Sequence, residues 1–105
     1  MKTFVKEFNR NNLNWEKCAK FNELFLKSQL NYYQDVLQCE GLVFLKDLYV
    51  SFGLPITRES CKYGWYSGGN KNRFVNVTFK QINDYDFEIT FKCYPVLHYL
   101  EKEEA

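Results

Sequence analysis

The chain is sparing with the residues that break regular structure: its 105 positions hold 5 glycines and 2 prolines. Collagen-like and low-complexity chains need far more of both and are excluded. Charge of one sign is missing too, with 14 Lys and Arg against 13 Asp and Glu. A net charge of +1 argues against a globally basic nucleic-acid binder. No apolar run reaches the roughly 18–20 residues that cross a bilayer. The opening Met1-Lys2-Thr3-Phe4-Val5-Lys6-Glu7 is charged within its first residues and does not read as a secretory signal. There is no close cysteine pair: Cys18, Cys39, Cys61 and Cys93 are spread along the chain, and His98 is the sole histidine. Structural zinc sites take ligands in tight pairs, so no metal and no cofactor is expected. A reducing cytoplasm is expected, with four reduced and mostly buried thiols.

What the chain does have is apolar and aromatic mass, 46% hydrophobic with 19% Phe, Trp and Tyr. That is too much for a disordered tail. The length suits one domain, here taken as residues 1–105. Residues 1–13 show no clear element. The run Asn9, Asn11, Asn12 and Asn14 supplies N-cap chemistry.

From Trp15 the period is helical. Cys18, Ala19, Phe21, Phe25, Leu26, Leu30, Tyr32, Tyr33, Val36, Leu37 and Cys39 fall on one arc, with Leu24 the exception. The phase does not slip, which predicts a helix over 15–40. At 1.5 Å per residue it would run about 37 Å, against an expected radius of gyration near 13 Å. A break near Ser28 is the alternative. Gly41 ends the helix as a left-handed Schellman cap, with Leu42 against Leu37, and the same device is expected at Gly53. Phe44, Leu45, Leu48, Tyr49 and Phe52 predict a second helix over 44–52, closed by Gly53 and Pro55.

The period then changes to two. Strands are predicted at 61–66, 73–80 and 86–93. Asn83-Asp84-Tyr85-Asp86 turns the last two into a hairpin. Helices followed by strands read as α+β, with N-terminal helices packed on one face of a three-stranded antiparallel β-meander. Its inward set would be Val75, Val77, Phe79, Phe87, Ile89, Phe91 and Cys93. A short terminal helix is expected after Pro95.

Chemistry is thin. A nucleophile needs a base in contact, and the single candidate, His98, falls on a surface turn. Asp84, Asp86 and Glu88 read as solvated acids rather than cation ligands. Ser67-Gly68-Gly69-Asn70-Lys71 matches no phosphate-binding fingerprint and reads as a connector. The chain is therefore taken as non-enzymatic. Tyr, Trp and Arg are the types enriched at interface hot spots. With so many tyrosines, an exposed aromatic patch is expected, and Tyr63, Trp65 and Tyr66 are its candidates. If the long helix outgrows the domain, its apolar arc needs a partner, which points to a homodimer. The alternative is a nucleic-acid module: Arg58, Lys62, Lys71 and Arg73 interleave with those rings, cations for phosphates and rings for bases.

Three short stretches are familiar: Gly41-Leu42-Val43-Phe44-Leu45-Lys46-Asp47-Leu48-Tyr49, Gly53-Leu54-Pro55-Ile56-Thr57 and Gly64-Trp65. Together they resemble a small-protein family of unknown function, common in phages and gut bacteria. Its pattern is G-x-x-F-L-x-[DE]-x-Y, G-[LF]-P-x-T and a G-W pair opening a β segment. The resemblance carries no catalytic motif. It implies a phage or mobile-element setting; for a chain taken to bind another protein, that setting suggests an accessory factor, such as an inhibitor of a bacterial defence complex.

Overall fold

The alternation Phe87, Ile89, Phe91, Cys93 builds the strand on which the rest of the sheet hangs. In the computed structural model, which describes residues 1–68 and 73–96, these four side chains are 2% exposed or less. Along the chain come β1 (Lys2–Phe8), α1 (Ala19–Glu40), β2 (Leu42–Phe44) and α2 (Leu45–Phe52). A 3-10 turn at Glu59–Cys61 leads to β3 (Tyr63–Tyr66), β4 (Val77–Gln81) and β5 (Phe87–Pro95).

β1 takes one edge of β5, antiparallel from Lys2 opposite Cys93 to Phe8 opposite Phe87. The other edge carries β4 and then β3. The Lys92 N–H reaches the Asn76 carbonyl and the Val96 N–H the Lys62 carbonyl, each at 2.9 Å. Residues four apart on a strand aim their backbone groups alike, so β4 and β3 share that edge. β2 pairs with β3 and extends the sheet. The fold is α+β, with two helices and five antiparallel strands among the described residues. Phe8, Val77, Phe87, Ile89 and Phe91 share a core with Leu26 and Leu37 of α1 and with Leu48 and Phe52 of α2. On the opposite face Thr3, Val5, Glu7, Thr78, Lys80 and Lys92 are exposed.

The three-stranded meander is corrected. β4 and β5 form the expected hairpin, but β3 pairs with β5 and not with β4. The cause lies in α1. Gln34 donates Nε2–H to the Val75 carbonyl and accepts the Val75 N–H, both at 2.8 Å. One turn on, the Gln38 amide donates to the Arg73 carbonyl at 2.7 Å. These side chains satisfy the backbone that a neighbouring strand would have used.

β1 is a strand where no element was expected. Its alternation is broken by Lys6, which lies opposite buried Ile89 with Nζ 5.7 Å from the Tyr49 ring centre. The first helix begins at Ala19, not Trp15. Asn22, fully buried, accepts the Glu16 N–H at 2.9 Å and donates to the Glu16 carbonyl at 2.8 Å. That pair holds residue 16 out of the helix. No break occurs at Ser28, whose hydroxyl donates to the Phe25 carbonyl at 3.0 Å inside the helix. Leu42-Val43-Phe44 is strand rather than the lead-in to α2.

Both glycines cap in the left-handed conformation as expected, but the Schellman pair expected at each forms at Gly53, while Gly41 makes the single bond of an αL cap. Gly41 has φ +82° and donates to the Leu37 carbonyl. At Gly53, φ +79°, the Leu54 N–H reaches the Tyr49 carbonyl and the Gly53 N–H that of Val50, a Schellman pair. The inward set is buried as predicted, with Phe79 half-buried. The thiols differ from expectation: Cys93 is buried and Cys61 half-buried, but Cys18 and Cys39 are exposed at the ends of α1. Burial pushes the Cys93 thiol up to about 12 and the Tyr49 hydroxyl likewise to about 12. Among the described residues, no helix is long and apolar enough to cross a membrane. The predicted helix after Pro95 and the catalytic candidate His98 lie outside the described residues beyond Val96.

Candidate functional site

The two segments with the most turn chemistry, 9–18 and 82–86, meet at one end of the sheet. The asparagines build the first of them. Asn9 Oδ1 accepts the Asn11 N–H and the Asn9 carbonyl the Asn12 N–H. Asn12 Oδ1 accepts the Asn14 N–H, while its amide donates to the Phe52 carbonyl at 2.7 Å. Their work is loop construction rather than the helix capping expected of them. In the second segment Asn83 Oδ1 accepts the N–H groups of Tyr85 and Asp86, at 3.0 and 2.9 Å.

Asn22 ties the two together. Its amide also donates to the Tyr85 carbonyl at 2.9 Å, so one buried side chain holds both segments. Trp15 Nε1–H donates to Asp86 Oδ1 at 2.9 Å. The Trp15 and Tyr85 rings meet edge to face, 6.0 Å between centres and 89° between planes. Lys17 Nζ lies 5.9 Å from the Tyr85 centre.

Trp15, Lys17, Tyr85 and Asp86, with Glu7, Asn9, Arg10 and Asn11, line an open cleft of about 570 Å³. Its acids are engaged from within. Glu7 accepts from the Asn9 amide at 3.1 Å, and Asp86 accepts from Trp15 and from the Asn83 amide. Its cations form no ion pair among the described residues: Arg10 and Lys17 are both exposed, and Lys17 lies over the Tyr85 ring. The cleft therefore sets two aromatic rings and two exposed cations beside two carboxylates that accept from neutral donors. Among the described residues no three His, Cys, Asp or Glu side chains gather to hold a metal ion.

The aromatic trio named from the sequence does not form one patch. Successive side chains on β3 leave opposite faces of the sheet. Trp65 is 3% exposed and donates Nε1–H to the Lys92 carbonyl at 2.8 Å, so it belongs to the core. Tyr63 is half-buried, edge-on to Phe4 at 5.4 Å. Tyr66, on the other face, lines a smaller hollow with Cys39 and Glu40 of α1. Arg58, Lys62 and Arg73 are exposed. Arg58 and Lys62 flank the 3-10 turn at the start of β3, whereas Arg73 is held by Gln38 near the end of α1. Lys71 lies outside the described residues.

Sequence reasoning placed Trp15 in the helix and passed over Arg10, Lys17 and Tyr85. The signal that bears on them is the pair of Asn-rich turns, since binding residues concentrate on loops held by a rigid scaffold.

No curated protein and no solved structure matches the chain. A family of unknown function, DUF6353, matches residues 2–100. Since that match runs over nearly all of the sequence, the chain belongs to the DUF6353 family of unknown function.

Proposed function

We propose that this is a non-enzymatic protein-binding module that docks an acidic segment of a partner in the Trp15–Tyr85 cleft. The observation that carries the reading is the asymmetry of that cleft. Glu7 and Asp86 are satisfied within the chain, while Arg10 and Lys17 are exposed and without ion pairs among the described residues. Trp, Tyr and Arg are also the side chains that carry most binding energy at interfaces. A concave site with a few convergent polar groups suits a docked side chain better than a flat face does. In a phage or mobile-element setting, such a module would act as an accessory that blocks a bacterial defence complex by occupying its partner surface.

The test is a tagged pull-down from bacterial lysate, with and without nuclease. A protein band is expected that survives nuclease and is lost with Arg10→Ala, Lys17→Ala and Tyr85→Ala together. The triple variant should melt like the parent. A band indifferent to these substitutions would remove the cleft from the reading. Material lost on nuclease treatment would favour nucleic acid, and the exposed Arg58, Lys62 and Arg73 would be substituted next.

A further inference from the structure

β1 is paired on one side only. Among the described residues no strand pairs with its outer edge. The direction of its backbone groups follows from β5. Lys92 aims its N–H at β4, so the even residues of β5 face β4 and the odd ones face β1. The odd residues Phe87, Ile89, Phe91 and Cys93 stand opposite Phe8, Lys6, Phe4 and Lys2. Thr3, Val5 and Glu7 therefore turn their N–H and C=O groups outward. All three are exposed, Val5 by 52%.

An open edge is a template for another chain, and proteins blunt such edges with proline, a bulge or charged side chains, inward-pointing ones among them, of which Lys6 is one. β1 has no proline, and its register with β5 is unbroken. Its lysines are engaged inside the chain. Lys2 Nζ is 3.6 Å from Glu59, and Lys6 lies against the Tyr49 ring.

We propose that β1 pairs antiparallel with β1 of a second copy, about a two-fold axis at Val5, joining the two sheets into one. The charges select this register. Outward backbone groups match only when an odd residue meets an odd one. Centred on Val5, the whole of β1 overlaps. Val5 meets Val5, Thr3 meets Glu7, Phe4 meets Lys6 and Lys2 meets Phe8, so no like charges stand opposite. Centred on Phe4, Lys2 meets Lys6. Centred on Lys6, that lysine meets itself. Like charges directly opposite destabilise a strand pair. The pairing does not use the cleft, so either reading can fail alone.

The experiment is sedimentation equilibrium of the full chain over a dilution series, with each variant checked for folding by circular dichroism. The wild type should dissociate from dimer to monomer on dilution. Thr3→Lys places a cation opposite Glu7 of the second copy and should tighten the dimer. Thr3→Glu places two acids together and should weaken it. Each acts at both symmetry-related contacts, so a change on the order of 2- to 30-fold in Kd is expected. Val5→Lys sets like charges on the axis and should yield monomer. A protein that is monomeric throughout overturns the proposal. So does a dimer with the same Kd for Thr3→Lys and Thr3→Glu. A dimer lost with Tyr32→Glu, on the exposed side of α1, but indifferent at position 3 overturns it too and moves the interface to the helix.

Discussion

Asn22 is the residue whose loss should cost most for its size. Its side chain makes three hydrogen bonds of 2.8–2.9 Å, to the N–H and C=O of Glu16 and to the C=O of Tyr85. It is fully buried. Asn22→Ala removes all three and leaves the Glu16 N–H and the Tyr85 carbonyl without that partner, while the Glu16 carbonyl keeps the Cys18 N–H at 2.7 Å. A typical bond contributes about 1 kcal/mol net, and a buried group left unpaired costs roughly 1–3 kcal/mol. Water can reach the exposed side of residue 16, so the expected loss is about 2–4 kcal/mol rather than the full sum. A domain of this size has about 5–15 kcal/mol in total, so the variant should fold. Urea denaturation followed by far-UV circular dichroism measures the loss as a lower midpoint at unchanged slope. Asn22→Asp should be worse than Ala, because it sets a carboxylate against two carbonyl oxygens that now accept from the amide. A loss under about 1 kcal/mol for Ala would refute the reasoning. So would an Asp variant as stable as the parent.

Two further outcomes follow from the core. A Cβ at Gly64 would run into the Val43 carbonyl and lie 2.9 Å from Phe44 Cα. Gly64→Ala should therefore part β2 from β3 and cost about 3 kcal/mol in the same assay, with a loss under about 1 kcal/mol counting against that packing. Alkali should also destabilise the fold. Cys93 is raised from 9.0 to about 12 and Tyr49 from 10.0 to about 12, so the folded chain holds both protons more tightly than the unfolded one. Their contribution is whole below pH 9 and is lost as pH rises from 9 towards 12, at about 1.4 kcal/mol per unit for each group titrating. Cys93→Ala should move the onset to near pH 10. A urea midpoint that stays flat to pH 11 would show that neither group is buried as described.

Much of this fold is written in short-range signals. The two helices, their glycine caps and the β4–β5 hairpin each rest on neighbours in sequence: a period of 3.6 or 2, a left-handed glycine, a turn of Asn and Asp. Those signals survive because packing agrees with them. β1 fails the same test through one residue. Lys6 faces inward, where its stem lies along Tyr49, so the strand loses the alternation that would have announced it. The meander fails for a different reason. Gln34 and Gln38 look like solvated positions on a helical wheel, yet they capture the backbone at Val75 and Arg73. A side chain that replaces a strand leaves no mark in the periodicity.

The cleft is less legible still, and the reason is physical. Its parts lie far apart in sequence: Trp15 reaches Asp86 across 71 positions and Asn22 reaches Tyr85 across 63. Each contact is one polar group meeting one partner, with no repeat to detect. Composition pointed to Tyr63, Trp65 and Tyr66, whereas the proposed cleft draws the same residue types from other positions. Trp65 and Tyr63 carry the same hot-spot chemistry as Trp15 and Tyr85, but they sit on a strand whose inner face the core claims. Segment 9–18 is a loop, with Trp15 packed against the edge of that core. Its asparagines satisfy their own backbone, while Trp15 ties the loop to Asp86 and, with Lys17, lines the cleft. In this aromatic-rich domain, the rings that line the cleft are thus held by loop contacts that no periodicity announces.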